Sequence, residues 1–581
     1  MKGNMYRTIY CGEVTSDYIG EEIKLAGWIN NVRNMGGLLF ITLRDETGIV
    51  QLISEDSSKF GDLHKESTVT VSGKVRRRTE DMINKSMKTG EIEVVIDTLE
   101  VLGDCIEVLP FEIAQSKDSL EETRLKYRYL DLRNKEVHDN ILFRSKVIDF
   151  IRNEMKSMDF TEIQTPILTA TSPEGARDFI VPARKYPGKF YALPQAPQIF
   201  KQLLMVSGFN KYFQIAPCFR DEDPRSDRLY GEFYQLDFEV SFATAEDIYA
   251  IGSKVFYDIF TKFSNKKVSE LPFRRIKFKD AILKYGSDKP DLRNPLIIED
   301  ITDILSKSDF SPFKNTTIRC IKVDKIDKSN SWYSSMEKYI EGIHGVLSYI
   351  KVIENNELKS SLTKFFSEDV KNELIDKLSL KEGNVVFIVA DNKRCARIMG
   401  NLRSKLGQEL ELIKKDSYEF CIINDFPFYE ENEETGKIEF SHNPFSMPIG
   451  GMEALNNKNP YEIEAYQYDF VCNGYEMASG GVRNHSPEIL KKAFDIVGYD
   501  EDIVKSKFPS LYQAFKYGAP PHAGMAPGID RIIMLLKDEE NIREIVPFPL
   551  AANGSDIMMG CPSEVFDYQL KEAHIKIDIK K

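Results

Sequence analysis

Five short segments between residues 21 and 101 alternate apolar with polar side chains, and this pattern constrains the N-terminal fold more than any other feature. The segments are EIKLAGWINNV, GLLFITLRD, GIVQLI, TVTVSGKV and EIEVVIDTLEV, and MGG and DETG separate the first three of them. A period of two indicates half-buried β-strands, and glycine beside aspartate is typical of the turns that join them. The pattern therefore predicts a small closed barrel.

One candidate for this barrel is the OB-fold, whose surface commonly binds oligonucleotides; the alternative is a barrel with a purely structural role. The basic run KVRRR at 74–78 also has two interpretations. It could follow nucleic-acid phosphates, or it could be a solvated hairpin. The pattern alone leaves both questions open.

Composition limits the class of protein. The 581 residues are 42% hydrophobic, enough for buried cores in roughly three or four domains. With 78 basic and 91 acidic side chains the net charge is −13, which argues against a protein that coats nucleic acid without specificity. The eight cysteines contain no CxxC pair, so we expect free thiols in a reducing compartment and no zinc. No apolar run approaches the roughly 20 residues of a membrane span and the N-terminus lacks a signal-peptide pattern, so we expect a cytoplasmic protein without a membrane partner.

A long amphipathic helix is predicted after a polar stretch near residues 112–128, and it leads into FTEIQTPILT, where Pro166 marks a strand end or edge. Residues 161–300 and 416–560 carry nearly all the dense charge motifs. Residues 301–415, which we call the insert, alternate helical segments with the apolar strand NVVFIVAD and carry no such cluster. We therefore expect a site built from the two flanking regions. The apolar residues that recur at helical spacing are Val137, Ile141, Ile148, Ile151, Met155 and Met158.

The run FRDEDPRSDRLYGEFYQLDFEVSF, residues 219–242, places a charged loop before a strand. An antiparallel sheet with one wet face explains the strand by itself. The loop, however, alternates arginines with carboxylates, and arginine forks can clamp phosphate oxygens while carboxylates hold Mg²⁺ or the adenine amine. The loop therefore suits a triphosphate. A period of two puts Leu236, Phe238, Val240 and Phe242 on one face of the strand, and Gln235, Asp237, Glu239 and Ser241 on the other.

Three further stretches carry candidate residues. GAPPHAGMAPGIDRIIMLL predicts a glycine-rich turn before an apolar helix with Asp530 and Arg531 in its first turn, where an arginine is unfavourable unless an anion or a ring engages it. In YDFVCNGYEMASGGVRNH, Asp469 and Glu476 could share a divalent metal, although acidic residues near a turn are commonly just exposed. His442 in SHNPFSMP is a lone histidine, a residue that is more often structural than catalytic. No phosphate-loop or dinucleotide fingerprint is present.

Together these segments resemble the class II aminoacyl-tRNA synthetases, and specifically the bacterial-type aspartyl-tRNA synthetase family. FTEIQTPIL is similar to the first class-defining motif, FRDED with the following arginines and EFYQLD to the second, and GIDR to the third. SPEGARDF, QAPQIFKQLL and YGSDKPDLRNP match as well. The insert resembles the one that distinguishes this family from its asparaginyl and lysyl relatives.

The resemblance implies an α+β multidomain chain. An N-terminal OB-fold β-barrel would precede a class II catalytic domain, an antiparallel sheet flanked by helices, with an inserted α/β domain of the GAD type. The expected divisions are an anticodon-binding barrel at 1–105, a linker at 106–133, a catalytic domain in two parts at 134–300 and 416–560, the insert at 301–415, and a C-terminal extension at 561–581.

The activity implied is that of an aspartate–tRNA ligase acting as a homodimer. With ATP and Mg²⁺ it would convert L-aspartate to aspartyl-adenylate and pyrophosphate, and then transfer aspartate to the 3′-terminal adenosine of tRNA(Asp). Whether tRNA(Asn) is a second substrate stays open at this point. The alternatives are an asparaginyl- or lysyl-type synthetase and a noncatalytic tRNA-binding paralogue.

The resemblance assigns roles residue by residue. Arg220, Glu222 and Arg531 would be the catalytic residues, Asp469 and Glu476 would hold Mg²⁺, and two cations, Lys201 and Arg483, would be unpaired until the side-chain carboxylate of aspartate binds. Aspartate would contact Glu174, Gln198, Lys201, Arg220, Asp237, His442 and Arg483. ATP would contact Arg220, Asp221, Glu222, Phe233, Glu476, Gly528, Ile529, Asp530 and Arg531. The anticodon would contact Arg33, Phe40, Gln51 and Glu93.

Three positions depart from the family pattern. The stretch LYGEF at 229–233 is one residue longer than the common form, so Leu229 and Tyr230 inherit no ATP contact. Asn443 stands where a second histidine is usual. Pro527 replaces a larger apolar residue before GIDR, and we expect it to reshape the adenine side of the cleft.

Overall fold

A computed structural model describes residues 3–171, 176–432 and 434–579 of the chain. The chain divides into two compact units, Met1–Glu112 and Ile113–Lys581. Within the described ranges no helix combines the length and apolar character needed to cross a membrane.

The first unit is a closed five-stranded barrel in the order β1-β2-β3-β5-β4, as predicted. Inward-facing side chains such as Leu25, Ile41 and Leu52 have no exposed surface, because the period of two sends every second residue into the barrel. The strands are β1 (Glu22–Met35), β2 (Leu38–Asp45), β3 (Gly48–Ser54), β4 (Thr68–Arg77) and β5 (Ile92–Gly103).

The second unit begins with the elements that precede the insert. Its helices are α1 (Glu121–Lys126), α2 (Arg128–Asp131), α3 (Lys135–Ser157), α4 (Gln198–Val206), α5 (Ala245–Phe263) and α6 (Phe278–Tyr285). Its strands are β6 (Thr161–Glu162), β7 (Ile180–Pro182), β8 (Phe190–Ala192), β9 (Lys211–Arg220), β10 (Gly231–Ser241), β11 (Lys267–Val268) and β12 (Arg274–Lys277).

The insert region folds around its own five-stranded antiparallel sheet, in the order β13-β14-β17-β15-β16. The segment NVVFIVAD forms the central strand β17. The strands are β13 (Ile298–Asp300), β14 (Ile318–Val323), β15 (Leu347–Val352), β16 (Leu358–Lys359) and β17 (Val385–Ala390). The helices are α7 (Thr302–Leu305), α8 (Asn330–Gly342), α9 (Glu368–Leu378) and α10 (Cys395–Glu409).

The chain then returns to the main sheet of the unit. The strands are β18 (Ser417–Tyr418), β19 (Phe420–Pro427), β20 (Tyr429–Glu431), β21 (Ile438–Phe440), β22 (Glu464–Cys472), β23 (Tyr475–Val482) and β24 (His522–Pro527). The helices are α11 (Gly451–Asn457), α12 (Pro487–Ile496), α13 (Glu501–Lys507), α14 (Pro509–Ala514), α15 (Ile529–Leu536) and α16 (Asp567–Glu572).

The main sheet has eight strands in the order β12-β19-β22-β23-β24-β10-β9-β6. Neighbouring strands are antiparallel except for the pairs at the two edges, β12 with β19 and β6 with β9. Residues from the two sequence regions flanking the insert thus share one sheet, as the distribution of charge motifs predicted. The large apolar core lies between this sheet and the helices α3, α5 and α15.

The long helix is α3, but its buried face differs from the prediction. Ile141 and Ile148 are only half-buried, and polar Asn140 and Arg144 take the core-facing positions. Asn140 donates to Glu539 at 2.8 Å, and Arg144 binds Asp530. Val137, Ile151 and Met155 are fully buried as predicted. Apolar spacing missed Asn140 and Arg144 because it cannot detect polar groups that are buried with partners.

Three further interpretations of the sequence were wrong. The polar face of β10 is not wet, since Asp237 and Glu239 have no exposed surface. Phe242 is 77% exposed because the strand ends at Ser241 and Phe242 turns away with φ of 55°. The glycine-rich stretch before α15 is the strand β24 rather than a turn.

Candidate active site

A cavity of about 440 Å³ opens over the main sheet, and its walls come from segments far apart in the sequence. Arg220 ends β9, Arg483 follows β23, and Arg531 lies in the first turn of α15, yet all three line this cavity. The other predicted residues that line it are Gln198, Lys201, Glu222, Phe233, His442, Asp469, Glu476, Gly528 and Asp530.

At the base of the cavity, two cations and two carboxylates form a buried cluster. Lys201 Nζ lies 2.6 Å from Asp237 Oδ1 and 3.6 Å from Glu239 Oε2. Arg483 donates from Nε and Nη2 to the two carboxylate oxygens of Glu239, at 2.8 and 3.1 Å. All four residues are at most 4% exposed, so their charges balance in a nearly water-free place. The expectation that the cations are unpaired in the free protein is therefore wrong.

The two carboxylates respond differently to burial. Burial raises the pKa of Asp237, against the opposing pull of Lys201. Burial also penalises the charged form of Glu239, but Arg483 and Lys201 outweigh it and hold the pKa of Glu239 below its usual value. Glu239 is therefore the firmly ionised partner of the cluster.

Gly524 makes room for this cluster. It pairs with Glu239 across β24 and β10, and a Cβ at Gly524 would lie 2.2 Å from Glu239 Oε2. Glycine is thus required where the backbone of one strand approaches a side chain of its neighbour. The glycine that the sequence marked as a turn residue serves close packing instead.

A second group of charges lies on the hairpin of β22 and β23, which turns at Asn473 and Gly474. Asp469 is buried, and its Oδ1 has no hydrogen-bond partner in the described part of the chain. Burial and the neighbouring Glu476 raise the pKa of Asp469 well above its usual value. Lys289 Nζ lies 3.1 Å from Glu476 Oε2. Within the described parts of the chain, no group of three or more His, Cys, Asp or Glu side chains has the geometry of a metal site.

Arginines form the remaining wall. The Arg220 guanidinium lies 5.0 Å from the ring centre of Phe233, and no carboxylate in the described ranges pairs with it. Glu222 pairs with Arg228 at 2.7 Å. Arg531 lies 3.2 Å from Asp227 Oδ2 and donates to the carbonyl of Glu476 at 2.6 Å. Such a wall of guanidinium donors suits phosphate oxygens.

The chain matches the family described as tRNA synthetases class II (D, K and N) over residues 120–552. This chain belongs to the class II tRNA synthetases. Residues 23–102 of this synthetase match the OB-fold nucleic acid binding domain, which confirms the OB-fold interpretation of the barrel.

Named relatives agree with this family. The synthetase is 51% identical to an aspartate–tRNA(Asp/Asn) ligase of Rickettsia akari, with 98% of each chain covered. It is 49% identical to an aspartate–tRNA(Asp/Asn) ligase of Pelagibacter ubique over the whole of both chains. A putative aspartyl-tRNA synthetase structure from Leishmania major has the same fold, with 18% identity, a TM-score of 0.58 and 94% of each chain covered.

Several residues predicted for the site of this synthetase do not present a free side-chain group to the cavity. The Asp221 carboxylate accepts from the Tyr230 hydroxyl at 3.0 Å, and Asp237 lies behind Lys201. Ile529 is fully buried in the apolar core, so its side chain cannot reach a ligand. Asp530 borders the cavity, but its carboxylate binds Arg144 and the backbone N–H of Tyr234. Glu174 lies outside the described residues.

The three departures have structural explanations. In the longer LYGEF stretch, Gly231 has a φ of 76° where β10 starts and Tyr230 packs against Phe179, whereas Leu229 lines the cavity. The Asn443 amide oxygen accepts from the backbone N–H groups of Phe445 and Ser446, at 3.0 and 3.1 Å, and so fixes its own loop. Pro527 is buried in β24 and does not line the cavity, contrary to expectation.

On the barrel, the residues predicted to contact the anticodon share the outer face. Arg33 is paired with Phe40 across β1 and β2, and Gln51 donates to Glu93 at 2.8 Å. In the run KVRRR, Arg78 is 6% exposed and donates to the carbonyl of Ile92. It is therefore a structural residue, whereas Arg77 and Lys74 are exposed.

Sequence reasoning assigned no role to Glu239 and Lys289. Glu239 shared a predicted strand face with Asp237, and that alternation was a usable signal. Lys289 lies in the matched segment YGSDKPDLRNP but carries no pattern of its own.

Proposed function

We propose that this class II synthetase is an aspartate–tRNA ligase with tRNA(Asp) and tRNA(Asn) as substrates. The observation that carries the proposal is the convergence of Arg220, Arg483 and Arg531 on one cavity. The names of the relatives that cover the whole chain support aspartate as the amino acid and both tRNAs as acceptors. Because these three guanidinium groups reach one cavity from distant segments, we infer a ligand that carries negative charge at both of its ends.

Lys201 and Arg483 are proposed to read the side-chain carboxylate of aspartate, with His442 on the cavity wall. Arg483 uses Nε and Nη2 for Glu239, and its Nη1 has no hydrogen-bond partner among the described residues. The side-chain NH₂ group of asparagine would face the N–H donors of Lys201 and Arg483. Two donors that face each other in a buried site cannot form a hydrogen bond, so asparagine is disfavoured. We reassign Asp237 from a direct aspartate contact to a residue that holds Lys201, because its carboxylate accepts from that ammonium at 2.6 Å.

Gln198 is proposed to contact the α-amino end of aspartate together with Glu174. The Gln198 Nε2 atom is buried, has no partner among the residues that the structure describes, and belongs to a residue of the cavity wall. An unpaired buried amide costs free energy that a ligand can recover, whichever way the amide is turned. This observation supports a polar ligand beside Gln198.

ATP is proposed to occupy the arginine-lined side of the cavity. Adenine would lie between Phe233 and Arg531, with Glu222 at its amine, and Gly528 allows close approach. Asp469 and Glu476 fit Mg²⁺, because the buried Oδ1 of Asp469 lacks a hydrogen-bond partner within the described ranges and hard cations prefer carboxylate oxygens. Bound Mg²⁺ would neutralise phosphate charge at this point.

The chain contributes placement and electrostatics rather than a nucleophile. The α-carboxylate of aspartate attacks the α-phosphorus; a carboxylate–phosphorus bond forms as the bond to pyrophosphate breaks. Arg220 has no carboxylate partner among the described residues and would face both the attacking oxygen and the α-phosphate. The 3′-terminal ribose hydroxyl of the tRNA then takes the aspartyl group, and AMP leaves.

Exchange of labelled pyrophosphate into ATP with aspartate, asparagine or lysine tests the proposal. We expect exchange with aspartate alone. Exchange with another amino acid would identify an asparaginyl- or lysyl-type enzyme, and no exchange at all would favour a noncatalytic paralogue. Charging of purified tRNA(Asp) and tRNA(Asn) transcripts then tests the acceptor range.

A further inference from the structure

Lys289 lies on the segment between α6 and β13 and borders two cavities. It lines the proposed active site, and on its other side it lines a cavity of about 490 Å³ against α10. Its segment is therefore a wall between the main sheet and a helix of the insert region.

Lys289 is the cation closest to the proposed metal carboxylates. Its Nζ lies 3.1 Å from Glu476 Oε2 and 3.1 Å from Asp288 Oδ2. The contact with Lys289 is the one ion pair that either Asp469 or Glu476 makes within the described residues. The ammonium thus supplies the positive charge that these two carboxylates face in the free protein.

Helix α10 fixes the Lys289 segment through its backbone. A Cβ on Gly286 would lie 2.4 Å from the carbonyl oxygen of Ala396, and one on Gly400 would lie 2.4 Å from the carbonyl oxygen of Gly286. The two glycines therefore let the backbones touch. Such close contact leaves the segment little freedom to shift.

Arg403 locks the other end of the segment. It is 2% exposed and donates to the carbonyls of Leu296, Asn294 and Asp291, at 2.6, 2.7 and 3.0 Å. In the described residues it has no carboxylate within ion-pair distance, and its guanidinium also lies 5.0 Å from the ring centre of Tyr285 in α6. The side-chain amide of Asn294 donates to the backbone carbonyl of Arg403 at 2.9 Å.

We propose that Lys289 is a further ATP-handling residue, held at the metal carboxylates by α10. In the free enzyme its ammonium competes with a divalent cation for Asp469 and Glu476; when metal-bound ATP enters, it turns to the β- and γ-phosphates. The inference rests on the proposed function, because it takes those two carboxylates as the metal ligands.

The test is the affinity of the nucleotide-free full-length enzyme for Mn²⁺. Electron paramagnetic resonance measures the concentration of free Mn²⁺ in the titration. Lys289→Met should bind Mn²⁺ about tenfold more tightly, because the competing charge 3.1 Å from Glu476 is gone. Lys284→Met is the matched control, since it removes an exposed lysine of the preceding helix α6 and should leave the affinity unchanged. Unchanged Mn²⁺ affinity in folded Lys289→Met overturns the proposal.

Two variants test the parts separately. Lys289→Arg keeps the cation and should retain the weak affinity, so a tenfold gain in this variant would also overturn the proposal. Arg403→Met should tighten Mn²⁺ binding by loosening the segment, whereas Arg397→Met, on the exposed side of α10, should not. Equal Mn²⁺ affinity in both arginine variants would refute the role of α10.

A nucleotide readout completes the test. The affinity of Lys289→Met for the non-hydrolysable analogue AMPPCP with Mg²⁺ should fall about tenfold, opposite in sign to the Mn²⁺ effect. Because both readouts are binding measurements, they stand apart from pyrophosphate exchange by the unaltered enzyme. Failure of that exchange would count against the function itself, and an unchanged AMPPCP affinity would count against Lys289 alone.

Discussion

Glu239 accepts two hydrogen bonds from Arg483, at 2.8 and 3.1 Å, and neither side chain has more than 5% of its surface exposed. The pair joins β10 to the residue after β23, and its two members are 244 positions apart in the sequence. With Lys201 and Asp237 it forms a neutral buried cluster, whose balance depends on every member.

Replacing Glu239 by Ala should lower the free energy of unfolding by about 3–5 kcal/mol, because Arg483 is left buried without its partner. Chemical denaturation measures the change. The exposed bidentate pair of Arg275 with Glu246 gives the control, and Glu246→Ala should cost less than about 1 kcal/mol. Equal losses in the two variants would mean that burial of the Glu239 charge is unimportant.

Lys201→Met and Arg483→Leu should abolish pyrophosphate exchange with aspartate, since each removes a donor proposed for the substrate carboxylate. We expect kcat/KM for aspartate to fall at least about a thousandfold. Circular dichroism checks that the variants fold, and Arg274→Leu removes an exposed arginine of β12 as a control. A loss below about tenfold would contradict the assignment.

Gly524→Ala should destabilise the protein and raise KM for aspartate, because the new methyl group would lie 2.2 Å from Glu239 Oε2 and push that carboxylate off Arg483. Thermal unfolding and exchange kinetics measure the two effects. Gly342→Ala, at the end of α8 with nothing within 4 Å, should be neutral or slightly stabilising. If the two variants unfold at the same temperature, steric contact at Gly524 is not the reason that glycine is required there.

Phe40→Ala on the barrel should weaken tRNA binding about tenfold to a hundredfold, the usual effect of removing a ring on which a base stacks. Pyrophosphate exchange with aspartate should stay unchanged, because exchange needs no tRNA. Filter binding of tRNA(Asp) gives the affinity. Unaltered tRNA affinity would remove Phe40 from the predicted anticodon surface.

Local patterns predicted much of this molecule because they report on neighbouring residues. Alternation located all five barrel strands, and the helical signal located α3. The site was harder. Alternation showed that Asp237 and Glu239 share a polar face, but it carries no information on burial depth, so it did not reveal that both carboxylates belong to a neutral buried cluster.

The remaining errors have the same origin. The ion pair between Lys201 and Asp237 and the contact between Gly524 and Glu239 join separate segments, and their geometry depends on how the strands of the sheet are ordered. No periodicity within either segment encodes that order. Apolar spacing in α3 missed Asn140 and Arg144 for a related reason. Their partners, Glu539 and Asp530 respectively, lie near the other end of the chain.

Gly286 and Gly400 meet backbone to backbone, with no side chain in between to absorb a change. Substitution at either one is therefore constrained by the other, and the two stretches must evolve as a matched pair. A chimaera that exchanges α10 with that of a relative should therefore exchange residues 286–296 as well. Otherwise the backbone of the new helix will not pack against the original segment.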